Sequence, residues 1–233
     1  MRANALAVMA KAPEAGQVKT RMLPVLSTEQ AAELCRALLL DQLKHLQGLA
    51  LADLYVAFTP TEAAPSMKQL APPAFCLLAQ EGNDLGERMK RIFENLYASG
   101  HKNIVLIGGD LPPVPLRFFA ETFTYLQAPG KRVVLGPSRD GGYYLVGLNQ
   151  MVPEIFEAMA WSHDQVLAQT RAKLAALKID PLLLPSWFDI DTPGDLRYLQ
   201  SQFNLDPSLM ERMKKTLELL HRLQLSEKQN RTG

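Results

Sequence analysis

Asp110 follows the apolar run Ile104–Ile107 and two glycines, and it is followed by Leu111, Pro112 and Pro113. Four branched or long apolar residues in a row read as a strand buried on both faces. Gly108 and Gly109 stop that strand, and the prolines prevent a regular continuation. In an open α/β sheet the carboxyl end of such a strand is where ligands bind. Asp110 is therefore an acid carried to the mouth of a sheet, where it suits a divalent ion bearing a nucleotide's phosphates. The plainer reading, a turn aspartate that caps the next helix, fits the same stretch.

Two further clusters bear on that chemistry. Residues 10–21 join Lys11, Lys19 and Arg21 to Pro13 and Gly16 in one basic loop, which can wrap a polyphosphate or simply be solvated. Its glycines do not fit a Walker loop. Asp189 and Asp191 flank Ile190 just before a helix start at Thr192-Pro193. The expectation is that the two carboxylates face opposite ways, so that at most one reaches the metal side and the other caps the helix or binds a backbone N–H. Gly82-Asn83 lets the backbone approach a ligand, and Asp84 can cap a helix. Asp140, beside Gly141 and Gly142, is a candidate acid or a turn residue. Asp140 and His163 are the candidates for an acceptor base. Cations that neutralise phosphate, a carboxylate for Mg²⁺ or Mn²⁺, and glycine loops that admit a base and sugar make a nucleotide-phosphate transfer site.

Alternating elements must position these residues. Strands are expected at 4–9, 52–58, 75–79, 103–107, 132–135, 143–148 and 182–184. Helices are expected at 28–47, capped by Ser27 with Gln30, at 66–70, after Asp84 with Met89, Ile92, Phe93 and Leu96 on one face, at 115–127, and from Ser162 to 177 with Gln165 as its capping partner. Two more are expected: one after Pro193, and a last amphipathic helix over 206–225 whose polar tail frays. The pattern implies βαβ units in a three-layer α/β/α domain with a mostly parallel sheet over 1–205, and a C-terminal helix and tail over 206–233 packed on it.

The bulk numbers agree with one globular α/β domain. The chain has 233 residues, 47% hydrophobic and 21% charged, with a net charge of +1, which gives no electrostatic case for nucleic acid as a partner. No apolar run nears the ~20 residues that span a bilayer. Residues 1–10 resemble a short signal peptide but run into Lys11, Lys19 and Arg21, so a first buried strand is expected. Cys35 and Cys76 are expected as small core residues without a disulfide, in keeping with a reducing cytoplasm.

Taken in order, Ala10-Lys11-Ala12-Pro13, Gly16-Gln17-Val18-Lys19-Thr20-Arg21-Met22, Asp84-Leu85-Gly86-Glu87-Arg88-Met89, Gly109-Asp110-Leu111-Pro112, Asp140-Gly141-Gly142-Tyr143-Tyr144-Leu145 and Asp189-Ile190-Asp191-Thr192-Pro193 resemble one family. This is the bacterial glycosyltransferase-like family of the nucleotide-diphospho-sugar transferase (GT-A) superfamily, of the radical-SAM or selenium-domain-associated type. Its relatives include guanylyltransferases with a similarly basic first loop. The resemblance implies a GT-A fold over residues 4–200, a nucleotide or nucleotide-sugar donor and a small-molecule acceptor. It implies phosphate contacts from Lys11, Ala12, Gly16, Lys19, Arg21, Gly82 and Asp84, and a Mg²⁺ or Mn²⁺ site at Asp110 completed by Asp189 or Asp191. Asp110, Lys19 and Asp140 are the expected catalytic residues. Gly141, Gly142, Tyr143 and Trp161 are expected on the acceptor side. The family often reads Gly-(Ser/Thr)-Asp-Cys-Pro where this chain has Gly-Gly-Asp-Leu-Pro. Three functions are in view: glycosyl transfer, nucleotidyl transfer with pyrophosphate release, and nucleotide binding without chemistry.

Overall fold

The computed structural model describes residues 2–230, with side chains described up to residue 223. Seven strands form one sheet: β1 (Asn4–Lys11), β2 (Asp53–Thr59), β3 (Phe75–Ala79), β4 (Asn103–Gly108), β5 (Val133–Pro137), β6 (Tyr143–Leu148) and β7 (Leu182–Leu183). Their order across the sheet is β3-β2-β1-β4-β6-β5-β7. Only β6 runs against its neighbours; β1 pairs in parallel with both β2 and β4. The chain leaves β1 towards β2 and β3, then returns to place β4 on the other side of β1. The crevice between the carboxyl ends of β1 and β4 is thus the switch point of the sheet, where loops from opposite directions part and leave room for a ligand.

Helices cover both faces, as alternating side chains require. On β4, Val105 and Ile107 face a core shared with α1 (Thr28–Leu46), α2 (Ala64–Leu70) and α4 (Leu116–Leu126). Ile104 and Leu106 face the opposite core, shared with α3 (Leu85–Ala98) and α5 (Val166–Ala176). A third cluster joins the outer side of α1, through Leu34 and Leu38, to Leu199, Leu209, Met213 and Leu219 of α6 (Pro193–Leu205), α7 (Pro207–Arg212) and the α7–α8 region. There α8 (Lys214–Asn230) begins under Asp41 of α1, whose carboxylate accepts from the N–H groups of Lys215 and Thr216 at 3.0 and 2.8 Å. A buried helix start finds its missing acceptors in this way.

Local caps match the sequence in two places. Ser27 and Gln30 form the expected capping box, and Asp84 accepts from the N–H of Glu87 at 2.8 Å. Elsewhere the expectations fail. Ser162 caps nothing: α5 starts at Val166, Ser162 has φ 67°, and the N–H of Gln165 is taken by His163 Nδ1. Cys76 lies exposed on the edge strand β3, not in the core, although Cys35 is buried; both are free thiols. The last helix is two, broken at Met213, because α7 closes on Asp206 and α8 on Asp41. The tail expected to fray reaches residues 231–233, outside the described residues; the backbone is helical to Asn230. Among the described residues no helix is long and apolar enough to cross a membrane.

Candidate active site

Two loops meet at the switch point. The loop after β1 ends in a short 3-10 turn over Thr20–Met22, and Lys19 before it takes the left-handed backbone conformation, φ 50° and ψ 36°. That conformation costs a residue with a Cβ about 1 kcal/mol. It turns the lysine under the sheet's edge, where only 4% of the side chain stays exposed and Nζ lies 2.8 Å from Asp110 Oδ2. Nζ also lies 3.6 Å from Asp191 Oδ1, and Arg21 Nη1 lies 3.1 Å from Asp191 Oδ2. Burial works to discharge Lys19, but Asp110 and then Asp191 outweigh it, so the ammonium holds its proton more tightly than an ordinary lysine. Burial likewise works to raise Asp110, yet Lys19 beside it keeps the carboxyl below the usual range.

The turn that carries Asp110 is fastened from four directions. Pro112 and Pro113 supply carbonyls but no N–H, so the turn cannot satisfy itself and calls for outside donors. Ile190 N–H donates to the Asp110 carbonyl at 3.2 Å. Trp187 Nε1 donates to Pro112 at 2.8 Å, and Arg212 Nη1 donates to Pro113 at 3.0 Å. His45 Nε2 lies 2.9 Å from the Val114 carbonyl, as the N–H donor to it. Gly109 permits the approach to β1, because a Cβ there would stand 2.9 Å from the Met9 carbonyl. A side chain at this position would therefore press on the Met9 carbonyl. Leu111, in place of the family's cysteine, is 2% exposed and packs in the core.

Asp189 and Asp191 correct the expectation of opposite faces. Ile190 between them is fully buried, and both aspartates line the same cavity, because residues two positions apart in an extended segment share a face. Neither caps α6; Thr192 and Asp195 form its capping box. Asp191 is the partner of the two cations. Among the described residues Asp189 makes no ion pair, and burial together with the charges of Asp110 and Asp140 pushes its carboxyl up to about 6, although Lys19 pulls the other way.

The cavity holds about 770 Å³ and spans the switch point, bounded by Asp110, Asp140, Asp189, Tyr143, Trp161 and His163 among others. A smaller hollow of about 220 Å³ lies behind Asp110, with Lys11, Lys19 and Cys35 in its walls. Lys11 Nζ donates to the Gln17 carbonyl at 2.7 Å. Gly142, Tyr143 and Trp161 border the main cavity, but Gly141 does not. Gly141 has φ 90°, and a Cβ on it would come 2.0 Å from the Asp164 carbonyl oxygen, so its part is to let the 157–165 strap close on the hairpin. Ala12, Gly16, Gly82 and Asp84 border neither hollow. Ala12 is buried with its N–H on Thr59, and Asp84 spends its carboxylate on the α3 cap. His163 Nδ1 accepts from Gln165 N–H at 3.0 Å, so the neutral ring carries its proton on Nε2 and is a donor, not a free base. Asp140 accepts from Gly142 N–H through Oδ1 at 3.0 Å, which leaves Oδ2 for a ligand.

Among the described residues no group of three or more His, Cys, Asp and Glu side chains is set closely enough to hold a metal alone. A Mg²⁺-like ion that keeps phosphate and water oxygens needs only one or two protein carboxylates, and Asp110 with Asp189 matches that demand. Residues missed by sequence reasoning are Arg139, Trp187 and Arg212. The paired prolines of the Asp110 turn were the available sign that side-chain donors had to come from elsewhere.

Residues 42–163 match the model of DUF2064, described as an uncharacterized protein conserved in bacteria. A solved structure from Desulfovibrio desulfuricans G20, named as a nucleotide-diphospho-sugar transferase, is 30% identical with a TM-score of 0.84, over 96% of this chain and 99% of that one. A cytidylyltransferase from Leptospira borgpetersenii serovar Hardjo-bovis (strain JB197) is 14% identical with a TM-score of 0.58, over 94% and 97% of the two chains, a likeness of fold alone. No curated protein matches the chain.

Proposed function

This chain belongs to the DUF2064 family, and from that premise we propose that it transfers a group from a nucleotide-activated donor to a small-molecule acceptor. The group we favour is the glycosyl unit of a nucleotide-diphospho-sugar. The observation that carries this reading is the 2.8 Å contact between Lys19 of the basic loop and Asp110 at the end of β4, at the sheet's switch point. The name of the 30% identical neighbour supports it.

In this reading the donor's diphosphate lies between the basic loop and the acid turn. Lys19 and Arg21, with Lys11 behind them, meet phosphate oxygens and stabilise the charge on the departing diphosphate. Asp110 and Asp189 are the residues that would hold a Mg²⁺ or Mn²⁺ ion, which would supply further charge neutralisation and offset the repulsion that raises Asp189. The acceptor hydroxyl attacks the sugar carbon while the bond to the β-phosphate oxygen breaks, its electron pair leaving with the nucleoside diphosphate. Asp140, through its free Oδ2, takes the hydroxyl proton. Asp191 holds the two cations in place, and the four-way fastening of residues 110–114 keeps Asp110 from following the ligand.

The test is a thermal-shift screen of nucleotides and nucleotide-sugars with and without Mn²⁺, followed by product detection. The expected result is metal-dependent stabilisation and release of a nucleoside diphosphate. Pyrophosphate release from a nucleoside triphosphate would replace glycosyl with nucleotidyl transfer. Binding indifferent to metal would leave a nucleotide-binding domain without this chemistry.

A further inference from the structure

Arg139 stands at the tip of the β5–β6 hairpin, and its backbone N–H donates to the Trp187 carbonyl at 3.2 Å. Its guanidinium carbon lies 3.5 Å from the centroid of the Tyr198 ring. Tyr198 meets Phe188 edge-on at 4.8 Å, and Phe188 leans on Trp187 at 5.5 Å. The cation thus rests on an aromatic column that continues into the fold. A guanidinium covered on one flat face keeps its in-plane N–H groups available, already aligned for the two oxygens of a phosphate or carboxylate.

Arg139 borders the main cavity, and among the described residues no carboxylate lies within ion-pair distance of it. Its neighbour Asp140 turns Oδ1 back to Gly142 N–H. Of the other acids that border the cavity, Asp191 is engaged by Lys19 and Arg21, Asp110 by Lys19 and Asp195 by the α6 cap, while Asp189 and Asp164 make no ion pair with Arg139 among the described residues. His163, on the same wall, offers a second donor through Nε2–H. A braced cation without an ion-pair partner, in a cavity that His163 also borders, suits one oxyanion.

We propose that Arg139, braced by Tyr198, anchors an oxyanion group of the acceptor, so that the substrate of transfer is an acidic small molecule, a phosphate ester or a carboxylate. This rests on the transferase reading above and adds the class of acceptor to it.

The experiment preloads the full chain with Mg²⁺ and a nucleoside diphosphate (UDP, GDP and CDP in turn), then titrates inorganic phosphate or, separately, acetate, followed by NMR. The preloading step tests the transferase reading by itself: if no nucleoside diphosphate binds with Mg²⁺, that reading falls. The oxyanion titration, run with and without nucleotide, tests the anchor. The expected result is saturable binding that weakens about tenfold in Arg139→Gln, as for loss of a charge-assisted pair of hydrogen bonds. Arg139→Lys keeps the charge without the planar fork and recovers part of the affinity. Tyr198→Leu weakens binding about threefold, by freeing the guanidinium. Arg132→Gln is the control, since Arg132 also sits over a tyrosine ring, at 5.3 Å from Tyr125, but borders no part of the cavity. Tighter phosphate than acetate points to a phosphorylated acceptor, and the reverse to a carboxylic acid. Absence of oxyanion binding, equal affinity in Arg139→Gln and the parent, or an equal loss in Arg132→Gln overturns the proposal.

Discussion

The two banks of the cleft follow opposite electrostatic plans. On the β1 bank, Lys19 and Arg21 face Asp110 and Asp191 at 2.8–3.6 Å, each charge answered by another. On the hairpin bank, Arg139 has an aromatic ring against it and, among the described residues, no ion-pair partner. The difference teaches what each bank demands of a ligand. On the first, an incoming phosphate must draw Lys19 off Asp110, which strands a carboxylate unless a cation arrives with it. Phosphate and divalent ion are therefore expected to bind together and each poorly alone. On the second, the proposed anion would have no ion pair to break.

The largest expected effect breaks the first bank. Asp110→Asn should weaken Mg²⁺-dependent nucleoside diphosphate binding by about two orders of magnitude, the scale of removing a charged partner from the enclosed Lys19 ammonium. The melting temperature should stay nearly constant, and calorimetry with differential scanning would show both. A large loss of stability would make Asp110 a structural residue. Next comes the hairpin bank. Gly141→Ala puts a Cβ against the Asp164 carbonyl at a positive φ, and about 2–3 kcal/mol of stability should be lost, read by urea denaturation. Nucleotide binding at the other bank should survive; its loss would show that the banks are one unit. Lys19→Ala should weaken diphosphates about tenfold and leave the bare nucleoside unchanged. Equal weakening of both would deny Lys19 its phosphate contact.

The smallest effect is a pH dependence behind the acid turn. Burial, with Arg212 nearby, holds His45 below its ordinary value of 6.5 although the Val114 carbonyl pulls the other way. A base depressed in the folded state resists protonation, so stability is whole above the unfolded value and falls as pH drops through it. The unfolding free energy should therefore be lower at pH ~5.5 than at pH ~7.5 from this source. His45→Gln, which keeps a donor for Val114, should remove the difference.

Much of the fold was legible because it is local. The alternation of Val105 and Ile107 against Ile104 and Leu106, the Ser27 box and the Asp84 cap are short-range signals that tertiary packing did not contest. The Ser162 box failed because the strap containing it is set by contacts with distant residues. Trp161 presses on Gly86, where a Cβ would come 2.7 Å from the indole, and Asp164 presses on Gly141. At the site, the meeting of the basic loop with Asp110 could be foreseen, since both hang from ends of strands that the topology makes neighbours. Arg139, Trp187 and Arg212 could not, because Trp187 and Arg212 act on partners 75 and 99 residues away and Arg139 through a ring that no spacing rule connects to it. The Asp189–Asp191 pair was misread for a simpler reason: positions separated by one residue share a side of an extended chain.

The carbonyls of Pro112 and Pro113 receive their donors from Trp187 and Arg212, 75 and 99 residues further along. During synthesis at roughly 5–20 residues per second, the strand that carries Asp110 therefore leaves the ribosome seconds before the side chains that fix its end. A nascent chain halted after α6 would own the sheet and both acids yet lack the last latch on the turn. The fastening of the acid turn is thus complete only once Arg212 has been made.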